Sequence, residues 1–535
     1  MTSPHFSPRL AVLLLLVAGC ATPAVEPPFP DAGTRFASGV VFADRDRDGQ
    51  RDLLERGLRG VAVSNGRDVT RTDWRGRYRL PIGDDTIVFV VKPRGWSPPI
   101  GPDGLPRFHY VHKPKGSPSH LRFAGVAPTG PLPESIDFPL VRSREPRSFR
   151  AVIFSDPQPY TLEEIDYLSR DVVAELVGVD AAFGLSLGDL VGNDLALFEP
   201  LNQAVGRIGI PWYNVLGNHD INFRAHADEH ADETFERVYG PATYAFQVGR
   251  VHFVVLDDVI YAGANPDGSI GSYEGGLTAR QLEFLRNYLR TVPRRDLVVL
   301  AMHIPLAGPA PHQVPQRHEL LEILSGHPHT LSLSGHLHLQ AHRFFGVEDG
   351  YTGPQAHHHF TAGSASGSWW RGAPDERGIP HATMRCGAPN GYALLSFEGN
   401  RYSLRFKAAR RPADHQMTIH LPQAVAAAAA SKTEVLVNVF AGSERTRVAM
   451  RLGETGEWVP LQRVARPDPG YVALLEREAR IRPPQGYGLP PAVDSPHLWA
   501  GQLPSDLPVG SVVLEVRAVD MFGQVLRARR LLRIE

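Results

Sequence analysis

Five short clusters in the middle of this 535-residue chain carry side chains that bind metals: Asp156-Pro157-Gln158, Gly188-Asp189, Gly217-Asn218-His219-Asp220, Met302-His303 and Gly335-His336-Leu337-His338. Each follows an apolar run of strand length. At the carboxyl ends of strands in an α/β sheet, loops far apart in sequence converge along one edge. Carboxylate and amide oxygens mixed with imidazole nitrogens suit Mn, Fe or Zn, whereas an all-oxygen set would suit Mg or Ca. Seven donors, Asp156, Gln158, Asp189, Asn218, His303, His336 and His338, are too many for one four-coordinate ion. Two ions sharing a carboxylate would use them all. Paired cations suit metal-assisted hydrolysis, because they bring the pKa of an attacking water toward neutrality and neutralise developing negative charge.

The order of these motifs, over roughly residues 149 to 345, resembles the calcineurin-like metallophosphoesterase family. The resemblance implies Asp156, Gln158, Asp189 and His338 on a first metal and Asp189, Asn218, His303 and His336 on a second, with Asp189 bridging. It also implies that His219 stabilises charge on the transferred phosphoryl group and protonates the leaving oxygen, with Asp220 orienting it. One position departs from the commonest pattern: Gln158 stands where that pattern has His. An amide oxygen donates less strongly than imidazole, so the first metal is expected to be held more weakly. The Asp-Pro-Gln form reads as variation within the family and not as decay of the site.

The elements that must position these residues are legible as a change of rhythm. Short alternating runs between Phe36 and about Leu140, such as Gly39 to Phe42, Val61 to Val63 and Thr86 to Val91, predict an N-terminal all-β sandwich over 36–140. Val141 to Ser148 reads as a linker. Strands are then expected at Ala151 to Ser155, Ala182 to Leu187, Trp212 to Leu216, Val251 to Leu256, Leu297 to Met302 and Thr330 to Ser334. Helices are expected from Thr161, which forms a capping box with Glu164, to about Val177, and near 195–208, 278–291 and 316–325. That is an α/β domain over 149–362, for which the resemblance implies a four-layer αββα core. Beyond Gly363 the helical periodicity fades, and 363–535 is expected to be a C-terminal mostly-β domain. The stretch from Ser368 to about Tyr402, like the N-terminal sandwich, resembles the flanking domains of one bacterial branch of the family. His357-His358-His359 either lines the pocket or, the favoured reading, lies at the surface or in strand pairing. Trp369-Trp370 either rims a cleft or packs in a core.

Arg9 and the apolar run Leu10 to Ala18 read as an export signal, about half the length of a membrane span. Leu16-Val17-Ala18-Gly19-Cys20 resembles the bacterial lipobox, which implies a signal peptide over 1–20, lipidation of Cys20 and a Pro-rich tether over 21–35. Ala21 after the Cys favours the outer membrane, so the chain is expected in the cell envelope, anchored to a membrane by its N-terminal lipid. With Cys20 acylated, Cys386 is the only remaining thiol and no intrachain disulfide forms. Asp44, Asp46, Asp48, Asp52 and Glu55 match a calcium loop with Gly49 at its turn, a candidate structural calcium site in a β-sandwich setting. The 42% hydrophobic content excludes wholesale disorder, and 56 basic against 57 acidic residues, a net charge of −1, offers no footprint for nucleic acid. The resulting expectation is an exported phosphomonoesterase or phosphodiesterase acting on a small-molecule or envelope phosphoester. The alternative is a surface binding protein on a catalytically weakened scaffold, suggested by Gln158.

Overall fold

The protein is described by a computed structural model covering residues 35–481, 488–505 and 507–535. The export signal, Cys20 and the tether lie outside the described residues. From Arg35 to Arg142 two four-stranded sheets form a sandwich. One holds Arg77–Ile82, Arg35–Ala43, Phe138–Arg142 and Trp96–Ser97; the other holds Val69–Arg71, Ala62–Ser64, Thr86–Val90 and His109–His112.

The catalytic core has a five-stranded and a six-stranded sheet packed face to face. The five-stranded sheet runs Trp212–Val215, Phe183–Leu187, Ser148–Phe154, Gly391–Glu398 and Arg401–Ala408. Its first three strands are parallel and the last two antiparallel. The six-stranded sheet runs Tyr244–Val248, Val251–Val255, Leu297–Ala301, Thr330–Ser334, His357–Thr361 and Ala341–Phe345. Strand alternation sorts side chains into two cores. Ala151 and Ile153 point into the space between the sheets, while Val152 and Phe154 face helices Leu162–Asp171 and Phe198–Gly206. Helices Ala279–Leu289 and Arg317–Leu324 cover the outer face of the second sheet, completing αββα. Thr161 caps its helix, accepting from the Glu164 amide, but the expected capping box is not closed, because the Glu164 carboxylate accepts from the Tyr160 amide instead.

Two features differ from the sequence reading. The boundary at 362 falls inside the catalytic unit, because Gly391–Glu398 pairs with Ser148–Phe154 and completes the first sheet. Periodicity identifies strands but not their partners, so the sequence leaves Gly391–Glu398 and its neighbour Arg401–Ala408 in the tail. The tail is mostly β, as expected, with one helix that the sequence reading lacks, Pro469–Arg480, capped by the Asp468 side chain on the Tyr471 amide. The C-terminal sandwich proper begins at Met417 and has a separate core that includes Val435, Val437, Met450 and Trp499. Cys386 is buried and unpaired. Among the described residues no helix is long and apolar enough to cross a membrane.

Candidate metal centre

The parallel strands Ser148–Phe154, Phe183–Leu187 and Trp212–Val215 end just before Asp156, Asp189 and Asn218, and Leu297–Ala301 and Thr330–Ser334 end just before His303 and His336. Both sheets therefore deliver ligand candidates at their carboxyl edges. The chain turns sharply there: Asp156, Gln158, Asp189, His336 and His338 all have φ between 41° and 72°, the left-handed region that non-glycine residues avoid. Gly217 is required by close approach, since a Cβ there would sit 2.0 Å from the Asp189 amide nitrogen.

His303 Nε2 lies 3.0 Å from Asn218 Oδ1, 3.2 Å from Asp189 Oδ1 and 3.2 Å from His336 Nδ1. His303 Nδ1–H donates to the Leu187 carbonyl at 2.8 Å, so the nitrogen facing this group carries a lone pair in the neutral ring. Carboxylate, amide and imidazole lone pairs converging on one point fit a cation. The buried Asp156 completes the other side: its carboxylate accepts from the His336 amide, and His338 Nε2 stands 3.7 Å from its Oδ1. His338 Nδ1–H donates to the Gly367 carbonyl at 2.6 Å, again aiming Nε2 inward. Burial opposes a charge on His303, but Asp189 and then Asp156 beside it move its pKa up to about 10. The two buried carboxylates thus demand positive charge here, which divalent ions supply more fully than a proton.

Gln158 is 1% exposed. Its Oε1 accepts from the Trp369 indole N–H at 2.6 Å and its Nε2 donates to the Tyr160 hydroxyl at 3.3 Å. His219 is partly open to solvent, its Nε2 4.0 Å from Asp189 Oδ2. Burial lowers its pKa against the pull of Asp189.

Asp220 does not orient His219. Its carboxylate is buried and turned away, accepting from the amides of Leu190, Val191 and Gly217 at 2.8–3.1 Å, so it braces the turns around Asp189 and Asn218. Burial, then Asp189, push its pKa up to about 8, while the three amides favour the anion. The group holding His219 is Asn193, whose Oδ1 is 2.5 Å from Nδ1. Asp258 has a similar bracing task, its Oδ1 accepting from the amides of His303 and Ile304. His312 Nδ1 reaches His336 Nε2 at 2.8 Å. Asn193, Asp258 and His312 stand in loops with no spacing that marks them, and only the fold makes them neighbours.

Of the remaining candidates, His357, His358 and His359 are buried in the strand His357–Thr361, and Trp370 is core while Trp369 is half-buried at the centre. In the N-terminal loop, oxygens of Asp44, Asp46 and Asp48 lie within 4.8 Å of one another. Asp44 and Glu55 are buried and bind loop amides, and the loop returns to strand Arg35–Ala43 through a bridge between Phe42 and Gly57, with no flanking helices. Burial, then Asp46 and Asp48, raise the pKa of Asp52.

No curated protein matches the chain. Among solved structures it is similar to a purple acid phosphatase from seeds of yellow lupin (Lupinus luteus), at 11% identity over 70% of this chain and 66% of that one, with a TM-score of 0.36. The chain thus spans slightly under two thirds of the lupin protein. It is also similar to PhoD, at 10% identity over 76% of this chain and 90% of that one, with a TM-score of 0.36. Scores this low leave the assignment to three family profiles that match in chain order. They are the N terminal of calcineurin-like phosphoesterase at residues 45–127, calcineurin-like phosphoesterase at 149–340, and the C terminal of calcineurin-like phosphoesterase at 359–526. With its centre of converging donors and all three parts matched in order, the chain belongs to the calcineurin-like phosphoesterase family and carries the catalytic domain of a metal-dependent phosphoester hydrolase.

Proposed function

We propose that this protein is an exported, lipid-anchored enzyme that hydrolyses a small-molecule or envelope phosphoester at a centre of two divalent ions, Mn, Fe or Zn. The observation that carries the reading is the meeting of Asp189, Asn218, His303 and His336 donors at 3.0–3.2 Å around His303 Nε2. Asp189, Asn218, His303 and His336 would hold one ion, and Asp156, Gln158, Asp189 and His338 the other. Bound there, the ions supply an activated water and neutralise phosphoryl charge.

The chain's own residues do the rest. The backbone ties at Leu187 and Gly367 fix the tautomers of His303 and His338. Asn193 Oδ1 accepts from Nδ1–H of His219, which leaves Nε2 to face the phosphoryl group; the imidazolium form, favoured by the phosphoryl charge and Asp189, would pass its Nε2 proton to the departing oxygen and return to the neutral ring. Lipidation at Cys20 would keep the enzyme at the outer membrane, and calcium at Asp44, Asp46, Asp48, Asp52 and Glu55 would staple the first sandwich.

Elemental analysis of the purified chain, followed by an aryl phosphomonoester and phosphodiester panel with added manganese, tests the reading. About two transition-metal ions per chain and manganese-dependent hydrolysis are expected. Absence of both metal and hydrolysis overturns it.

A further inference from the structure

The half-site around Asp156, Gln158 and His338 is wrapped by one strap of chain, residues 364–370, that lies beyond every motif of the centre. Ser364 Oγ and Ser366 Oγ both donate to the Asp156 carbonyl, at 3.0 and 2.8 Å. The Gly367 carbonyl takes the Nδ1 proton of His338. Trp369 touches two of the three: its indole N–H donates to Gln158 Oε1 at 2.6 Å, and its ring lies on the His338 imidazole with centroids 4.1 Å apart. The strap is held in an unfavourable backbone. Gly367 has φ 55° in a space where a Cβ would meet the Ala382 carbonyl oxygen at 1.6 Å. Two consecutive tryptophans, Trp369 and Trp370, have φ 60° and 47°. Bulky residues do not adopt that region without compensation. Trp370, 1% exposed and packed near Tyr167, anchors the turn, and Trp369 receives its orientation from that anchor.

The chemistry explains the arrangement. An imidazole ligand is aimed by its second ring nitrogen, but a primary amide rotates about its terminal bond and presents oxygen or nitrogen with nearly equal ease. Only the oxygen can ligate. A donor on one side and an acceptor on the other break that symmetry, and Trp369 N–H and the Tyr160 hydroxyl are such a pair. The sp2 oxygen keeps a second lone pair for an ion.

We infer that Trp369 is a positioning residue for the first of the two ions, fixing the amide of Gln158 with its oxygen inward and buttressing His338. The inference rests on the two-ion reading above. It is tested by titrating the metal-free full chain with Mn(II) against a competing chelator, for the parent, Trp369→Phe, and Gln158→His combined with Trp369→Phe. Phenylalanine keeps a ring against His338 and removes only the donor. The expected result is a ten- to hundredfold weakening of one ion in Trp369→Phe, the scale of a lost outer-shell partner. The second ion should be unmoved, which also reports that the fold is intact. Histidine at 158 needs no amide orientation, so the double variant should recover the parent's affinity. Unchanged affinity in Trp369→Phe, equal weakening of both ions, or no recovery in the double variant overturns the inference and leaves the two-ion reading standing. A parent chain that binds no manganese overturns both.

Discussion

At His219 one hydrogen bond decides which nitrogen is available. Asn193 Oδ1, 2.5 Å from Nδ1, accepts its hydrogen bond and leaves Nε2 toward the centre. Replacement of His219 by Ala is expected to lower turnover of an aryl phosphodiester by about a hundredfold or more, the scale of general acid catalysis. Asn193→Ala should cost less, about tenfold in kcat with KM little changed, because the ring remains but loses its aim; steady-state kinetics at saturating manganese separate the two. A fall in KM affinity alone would place Asn193 in substrate binding instead. The ligand candidates were legible at this scale, because a metal constrains residue type and the strand-end position constrains spacing. The orienting group was not. Asp220, to which the resemblance assigns that task, sits beside His219 in sequence, yet its carboxylate turns to the amides of Leu190, Val191 and Gly217, and Asn193 arrives from a different loop.

The strand His357–Thr361 shows how an element can hide what its residues suggest. The triple histidine, expected at the surface or in strand pairing, does pair in a strand, and alternation places His357 and His359 on one face, opposite Thr330, Ser332 and Ser334 of the neighbouring strand. Their ring nitrogens and hydroxyls bond in sequence at 2.7–3.0 Å, a polar seam sealed from water. Burial lowers the pKa of His357 to about 3, and that of His359 well below its usual value. Below about pH 6.5 the unfolded chain binds protons that these native rings refuse, so the stability they confer is whole above that pH and is lost as pH falls toward 3. The cost per ring is about 2 to 3 kcal/mol at pH 4.5. Thermal melts at pH 7.5 and 4.5 should show the drop, and His357→Gln should reduce it by about one proton's worth. The loop from Asp44 to Glu55 makes a second prediction for an element. Calcium should raise the melting temperature of the parent, chelator should reverse the gain, and Asp44→Ala should abolish it. A parent whose melting is indifferent to calcium would make the loop a solvated acidic turn.

Across the whole molecule, the N-terminal sandwich is bound to the catalytic core through a buried cation. Lys113 Nζ lies 2.5 Å from Glu233 and 3.0 Å from Asp85, with Lys113 6% and Glu233 0% exposed. Burial alone would lower the pKa of this ammonium, but Glu236, Glu233 and Asp85 raise it. Lys113→Met leaves the buried Glu233 carboxylate to the Ser117 hydroxyl and the His230 ring alone, and a loss of about 2 to 3 kcal/mol in urea unfolding is expected, less than for a wholly uncompensated buried charge. The three-part order could be read from rhythm along the chain, while the number of layers follows only from the family resemblance. The pairing of Ser148–Phe154 with Gly391–Glu398 could not, because strand registry across such a separation leaves no local trace. That pairing has a consequence for biogenesis. At about 5 to 20 residues per second a ribosome needs roughly ten to fifty seconds to deliver the later segment after the earlier one. Throughout that interval the nascent chain displays an unpaired strand edge carrying the apolar side chains of Ala151 to Phe154, which gives a holding chaperone its target there.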